Sequence, residues 1–120
     1  MIRHGEPPYL ECSSKGDKRF SAFFAHVRLV GTTIEKAYQA KKIFEDGSSG
    51  LDPTRAKGRK AVNQEECAKY YSHLWDLYFF ENPQLFDVVE FFNGFSDIFG
   101  QPGHCCQATE IHRIVSAHRC

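Results

Sequence analysis

An α+β fold, a mainly helical single domain with a small β-sheet, is what this 120-residue sequence predicts. Three observations predict it. Cys67, Tyr71, Leu74 and Tyr78 recur at the spacing of one helix face. Asp52-Pro53 and Asn82-Pro83 each read as an N-cap followed by proline at the first helical position, where its missing N–H costs nothing. Short apolar runs at 9–12 and 20–29 are bounded by turn-forming residues, as strands are.

Taken in order, residues 1–8 read as a loose N-terminal segment, with Gly5 and the Pro7-Pro8 pair. Tyr9-Leu10-Glu11-Cys12 reads as a short strand. Ser13 to Arg19 is a polar loop, and Phe20 to Leu29 supplies a strand or two. Gly31-Thr32-Thr33 ends that segment, and Thr33 serves as N-cap for a helix to about Phe44. Asp46 to Gly50 is a loop. A short helix after Asp52-Pro53 weakens near Gly58. A longer helix runs from about Gln64 to Phe80. The helix begun at Asn82-Pro83 carries Leu85, Val88, Val89 and Phe92 as its apolar stripe and closes at Asn93-Gly94. Gly100 to Gly103 is a loop, and a last helix spans Gln107 to His118.

Composition narrows the function classes. Hydrophobic residues make up 42%, enough for a core of its own, so the chain is not disordered. Lys plus Arg total 15 and Asp plus Glu total 15, which argues against a nonspecific nucleic-acid binder. A small ligand is compatible with neutrality. Five cysteines at irregular spacing, no apolar run behind Met1 and no membrane-length apolar stretch predict a cytoplasmic protein with free thiols and no membrane partner.

The polar residues of the 33–44 segment carry the chemistry. Glu35, Gln39 and Lys42 stand at i, i+4 and i+7, one stripe of a helix. A solvated face is one reading. The other is a carboxylate, an amide and an amine aimed into a cleft, covered by the 13–19 loop or the loop around 97–104. Breaking an N-glycosidic bond builds positive charge on the ribose anomeric carbon, and a carboxylate stabilises that state or activates a water. A lysine holds phosphate as a point charge; when desolvated, it can instead attack the opened ribose aldehyde. Two helical turns set the outer pair about 10 Å apart, a span a sugar bridges.

The segment Ile34-Glu35-Lys36-Ala37-Tyr38-Gln39-Ala40-Lys41-Lys42 resembles the "VEHYFQAQK" signature of the NADAR (YbiA-like) family, with Glu, Gln and Lys in register. Phe20-Ser21-Ala22-Phe23 is similar to that family's "LSNF" element. Ala56-Lys57-Gly58-Arg59 is similar to "AKKLGR" less two residues. Trp75 followed by Glu81-Asn82-Pro83-Gln84-Leu85 resembles its Trp…QNPxL stretch, and Asp97-Ile98-Phe99-Gly100 its terminal "D..WG". Ala22 stands where the family has Asn, and Phe99 where it has Trp. The elements keep their order over about residues 18–101.

The resemblance implies a compact α+β fold and N-glycosidase chemistry on an ADP-ribosyl or related ribosyl-nucleotide conjugate, such as ADP-ribosylated guanine. No cofactor or metal is implied. Glu35 is then the catalytic carboxylate, Lys42 the amine or phosphate holder and Asp97 a second acid. Tyr38 and Gln39 meet the ligand, Arg59 a phosphate, and Trp75 a base or flavin-like ring. Lys18, Arg19, Phe20 and Ser21 are further ligand-binding residues; the 13–19 loop itself, aided by Lys18 and Arg19, reads as a phosphate cradle, with Gly16 permitting a nest of backbone N–H groups. The alternative is a non-catalytic binding module of the same fold that sequesters an ADP-ribose-like or cyclic nucleotide signal.

Each of these residues has a plainer reading. Trp75 lies beside Leu74 and Tyr78, as a core residue would. Arg59, with Lys57 and Lys60, fits a solvated helix end, and 13–19 fits a surface turn. His104-Cys105-Cys106 lacks the spacers of a zinc site and does not by itself give nucleophile geometry. A third class is a protein-interaction domain with a Phe-rich surface.

Overall fold

A computed structural model describes residues 1–50 and 61–120. Five strands and four α-helices are seen among the described residues: β1 (Ile2–Gly5), β2 (Tyr9–Glu11), β3 (His26–Val27), β4 (Thr32–Thr33), α1 (Ile34–Lys41), α2 (Gln64–Glu81), α3 (Leu85–Val89), β5 (Gly94–Asp97) and α4 (Gln107–Arg119). A single 3-10 turn spans Lys18–Phe20. The expected α+β class is what forms. No helix among these residues is long and apolar enough to cross a membrane.

The main sheet has the order β1-β5-β2. β5 pairs antiparallel with β1, Ile2 opposite Asp97, and parallel with β2, Tyr9 opposite Gly94. All four residues of β5 are buried, as suits a central strand covered by a helix. Gly94 is required there: a Cβ would come within 2.5 Å of the Tyr9 ring. β3 and β4 form a small hairpin whose loop ends at Gly31, in the left-handed region at φ +78°. Glu81, at the end of α2, clamps that loop by accepting from the N–H groups of Arg28 (2.7 Å) and Leu29 (2.9 Å).

α2 forms the spine. Its expected face is buried as read, through Cys67, Tyr71, Leu74 and Tyr78, and Trp75 and Phe79 widen it. Trp75 stands edge-on to Tyr78 (5.6 Å between centroids) and to Tyr71 (6.5 Å), the arrangement aromatic quadrupoles favour. α4 lies across β1 and β5 and buries Ala108, Ile111, Ile114 and Val115. Thr33 caps α1 as expected, its Oγ1 accepting from the Lys36 N–H at 3.3 Å. Asn63 then ties the end of α1 to the start of α2: its Nδ2 donates to the Lys41 carbonyl, and its Oδ1 accepts from the Ile43 N–H.

Four expectations about elements are corrected. Residues 1–8 are not loose, since β1 pairs with a strand from the far end of the chain. Phe20 to Leu29 is mostly turn: Asp17 caps the 3-10 turn, Ser21 accepts from the N–H groups of Phe24 and Ala25, and only His26–Val27 is extended. The first helix stops at Lys41, where Lys42 turns extended at ψ 138°. The helix after Asn82-Pro83 spans only Leu85–Val89, and Gly94 opens a strand instead of closing a helix. The helix expected after Asp52-Pro53 lies outside the described residues.

Trp75 is fully buried, so Trp75→Ala should cost about 3–5 kcal/mol of folding free energy. A urea titration followed by far-UV circular dichroism checks this; a shift under 1 kcal/mol would show that α2 does not carry the core.

Candidate functional site

The stripe on α1 is covered. A cavity of about 700 Å³ is lined by Glu35, Tyr38, Gln39 and Lys42 from this segment, by Cys67 and Tyr71 from α2, and by the run 99–105 with Asp97 and Gln107 opposite. Of the two candidate covers, the loop around 97–104 supplies one wall, while the 13–19 loop contributes Ser14. Glu11 pins these two loops to each other, its Oε2 accepting from the Ser13 N–H (3.1 Å) and the Ile98 N–H (3.2 Å). Burial pushes the Glu11 carboxyl up, but the hydrogen bonds from Ser13 and Ile98 outweigh it and hold the group below its usual value.

Helical spacing sets the first contact within the stripe. Gln39 Nε2 donates to Glu35 Oε1 at 2.8 Å, an i, i+4 pair. That bond fixes the carboxylate rotamer and leaves Gln39 Oε1 buried without a hydrogen-bond partner. Lys42 is one residue beyond the helix, yet its Nζ sits over the Tyr38 ring at 5.3 Å and it still lines the cavity. Gly50 donates its N–H to the Lys42 carbonyl at 2.7 Å, which holds the extended turn in place. Burial, followed by a hydrogen bond with Cys105, raises the Tyr38 hydroxyl far above its ordinary value, so it stays a neutral donor.

Asp97 reaches the cavity, but both its oxygens are occupied. Oδ1 accepts from the Phe99 N–H at 3.0 Å, and Oδ2 accepts from Gln107 Nε2 at 3.0 Å. The other end of the Gln107 amide, Oε1, accepts from the Ala22 N–H at 2.6 Å. One buried side chain therefore links the segment ahead of α1, the start of α4 and the end of β5. This arrangement fits a positioning role for Asp97 better than that of a second acid.

The other expected residues that are described fall away from the cavity. Trp75 and Phe20 are fully buried in the core, where no ligand touches them, so the stacking and ligand-contact roles are corrected to packing. Lys18 lies over the exposed Phe24 ring at 4.9 Å, and the Arg19 guanidinium is spent on Asp17 at 2.6 Å. Ser21 is buried with its Oγ unpartnered, one residue before the cavity-lining Ala22. Arg59 lies outside the described residues.

Sequence reasoning missed Gln107, Phe23 and Cys105 as cavity residues, whereas Phe99 lies within the 97–104 loop expected as a cover. Gln107 was legible only as the start of the last helix, because its partners Ala22 and Asp97 are distant in the chain. His104, Cys105 and Cys106 take three environments: exposed, half-buried and buried. Cys106 is the N-cap of α4, its carbonyl accepting from the Glu110 N–H.

Burial raises the Cys105 thiol, and the Tyr38 hydrogen bond offsets this only in part. Its thiolate is therefore scarce at pH 7 and accumulates only above the ordinary thiol range. Iodoacetamide should alkylate the exposed Cys120 first at pH 7, with Cys105 labelling climbing only above the ordinary thiol range. Peptide mass spectrometry over time reads this; equal rates at pH 7 would refute the burial argument. No family model, curated protein or solved structure matches this chain.

Proposed function

We propose that the chain is an N-glycosidase of the NADAR (YbiA-like) type, acting on an ADP-ribosyl or related ribosyl-nucleotide conjugate such as ADP-ribosylated guanine. The observation that carries the reading is the convergence of Glu35, Gln39, Tyr38 and Lys42 on one walled cavity. A solvated stripe would have no opposite wall.

In this reading the ribose lies over Glu35. The bond from its anomeric carbon to the base nitrogen breaks, its electron pair leaves with the base, and positive charge develops on the sugar. The Glu35 carboxylate, oriented by Gln39, stabilises that charge or takes a proton from the attacking water. The unpartnered Gln39 Oε1 accepts from a ribose hydroxyl. Tyr38, held protonated, donates to a ligand oxygen. Lys42 meets a phosphate, or its amine adds to the opened ribose aldehyde with loss of water.

The second reading, a binding module of the same architecture, is favoured by the saturated Asp97, which leaves Glu35, held by Gln39, as the carboxylate facing the ligand among the described residues. Mass spectrometry of the chain mixed with ADP-ribosylated guanosine, free ADP-ribose and a nucleotide panel separates the two. Release of free ADP-ribose, reduced about a hundredfold or more in Glu35→Gln with its melting temperature unchanged, is the expected result. Recovery of every ligand intact, with one retained tightly, points to the binding module. Borohydride trapping of an adduct at Lys42 distinguishes the amine from the phosphate role.

A further inference from the structure

We propose that Phe23 and Phe99 form an aromatic clamp on the cavity wall that takes a flat heteroaromatic base, and that Asp97 and Gln107 set its spacing. Both rings line the cavity, yet Phe23 is 54% and Phe99 59% exposed. Large rings left in water on the walls of a cavity lose the burial that Phe20, Phe44, Phe79 and Phe95 obtain. A planar ligand restores it. Other phenylalanines are also exposed, Phe80 and Phe91 among them, but neither borders this cavity.

The two rings come from distant parts of the chain, and a single hydrogen-bond chain joins their backbones. The Phe99 N–H donates to Asp97 Oδ1, Gln107 Nε2 donates to Asp97 Oδ2, and the Ala22 N–H, one residue before Phe23, donates to Gln107 Oε1. Asp97 and Gln107 are buried, so this link does not exchange with water. Each ring also rides on a tight turn: the Phe24 N–H donates to the Ser21 carbonyl, and the Gly100 N–H to the Asp97 carbonyl. Two exposed rings on fixed backbones at the wall of one cavity suit stacking, which accepts any flat heteroaromatic face and does not read hydrogen-bonding edges. The clamp rests on the proposed glycosidase reading only for the direction in which the attached ribose runs, toward Glu35.

Saturation-transfer NMR with guanosine as the probe, and ribose 5-phosphate as the base-free control, tests this without any bond being cleaved. The wild-type chain should saturate the guanine H8 proton. Phe23→Ala and Phe99→Ala should each reduce that transfer about fivefold or more, while Phe99→Trp keeps it. Gln107→Glu should lose it, because two carboxylates then face each other. The double variant Asp97→Asn with Gln107→Glu should restore it, since the Asn amide donates where Gln107 did and the new carboxylate still accepts from Ala22. A merely structural role for Gln107 predicts that Gln107→Glu loses its far-UV circular dichroism together with the signal, whereas a spacing role loses the signal in a chain that stays folded.

No guanine signal in the wild type, or an unchanged signal in both folded alanine variants, overturns the clamp. A clamp-dependent guanine signal in a chain that releases no ADP-ribose leaves the clamp standing and ends the glycosidase reading. Cleavage that is indifferent to both alanine substitutions does the reverse.

Discussion

The geometry of the cavity depends on one amide. Gln107 has a donor end and an acceptor end, and each meets a buried group: an Asp97 oxygen, which the Cys106 thiol also reaches at 3.7 Å, and the Ala22 N–H. An unmade hydrogen bond in such a place costs about 1–3 kcal/mol, so the amide has one orientation and the backbones it joins have one separation. The end of the central strand, the last helix and the segment leading into α1 are thereby held as walls of a single cavity. Glu11 repeats the device one layer away, where an ionised carboxylate joins the two loops through their backbone N–H groups.

Behind those walls the aromatic face of α2 supplies rigidity. Tyr71 belongs to both layers: it is buried against Trp75 and it also borders the cavity beside Tyr38, 5.0 Å away ring to ring. Burial raises its hydroxyl far above its ordinary value, with the Trp75 indole opposing the shift. The inner wall is thus neutral and stiff, while the charges of Glu35 and Lys42 stand on the α1 side. A ligand meeting this site finds Glu35 and Lys42 on one wall, the tyrosines behind it, and Phe99 with the hydrogen-bonded Asp97 opposite.

Local physics was the legible part of the sequence. Thr33 announced the start of α1 because an N-cap needs only its own next turn. The face of α2 was readable because helical period is a property of consecutive residues. The polar stripe of Glu35, Gln39 and Lys42 was readable for the same reason, although Lys42 reaches the cavity from an extended turn and not from the helix. What escaped was non-local. Ile2–Gly5 has no strand signal of its own, and becomes a strand because Gly94–Asp97 lies beside it. Gly94 looked like a helix stop, yet glycine is there because the Tyr9 ring leaves no room for a Cβ. Trp75 was expected to stack on a ligand ring, but its environment, which only packing decides, places it in the core.

The topology of the main sheet bears on how the site comes into being. β5 sits between β1 and β2, so the two strands formed from residues 2–11 have no common partner until residues 94–97 are in place. Contacts of such long sequence separation form late, after local helices and the short hairpin. The cavity wall at 97–105 continues from that same strand, and the Gln107 link can close only once the strand is seated. Assembly of the pocket and completion of the fold are therefore one cooperative event. Occupancy of the pocket then acts as a reporter on the whole molecule, since anything that binds it adds RT ln(1 + [L]/Kd) to the stability of every element at once.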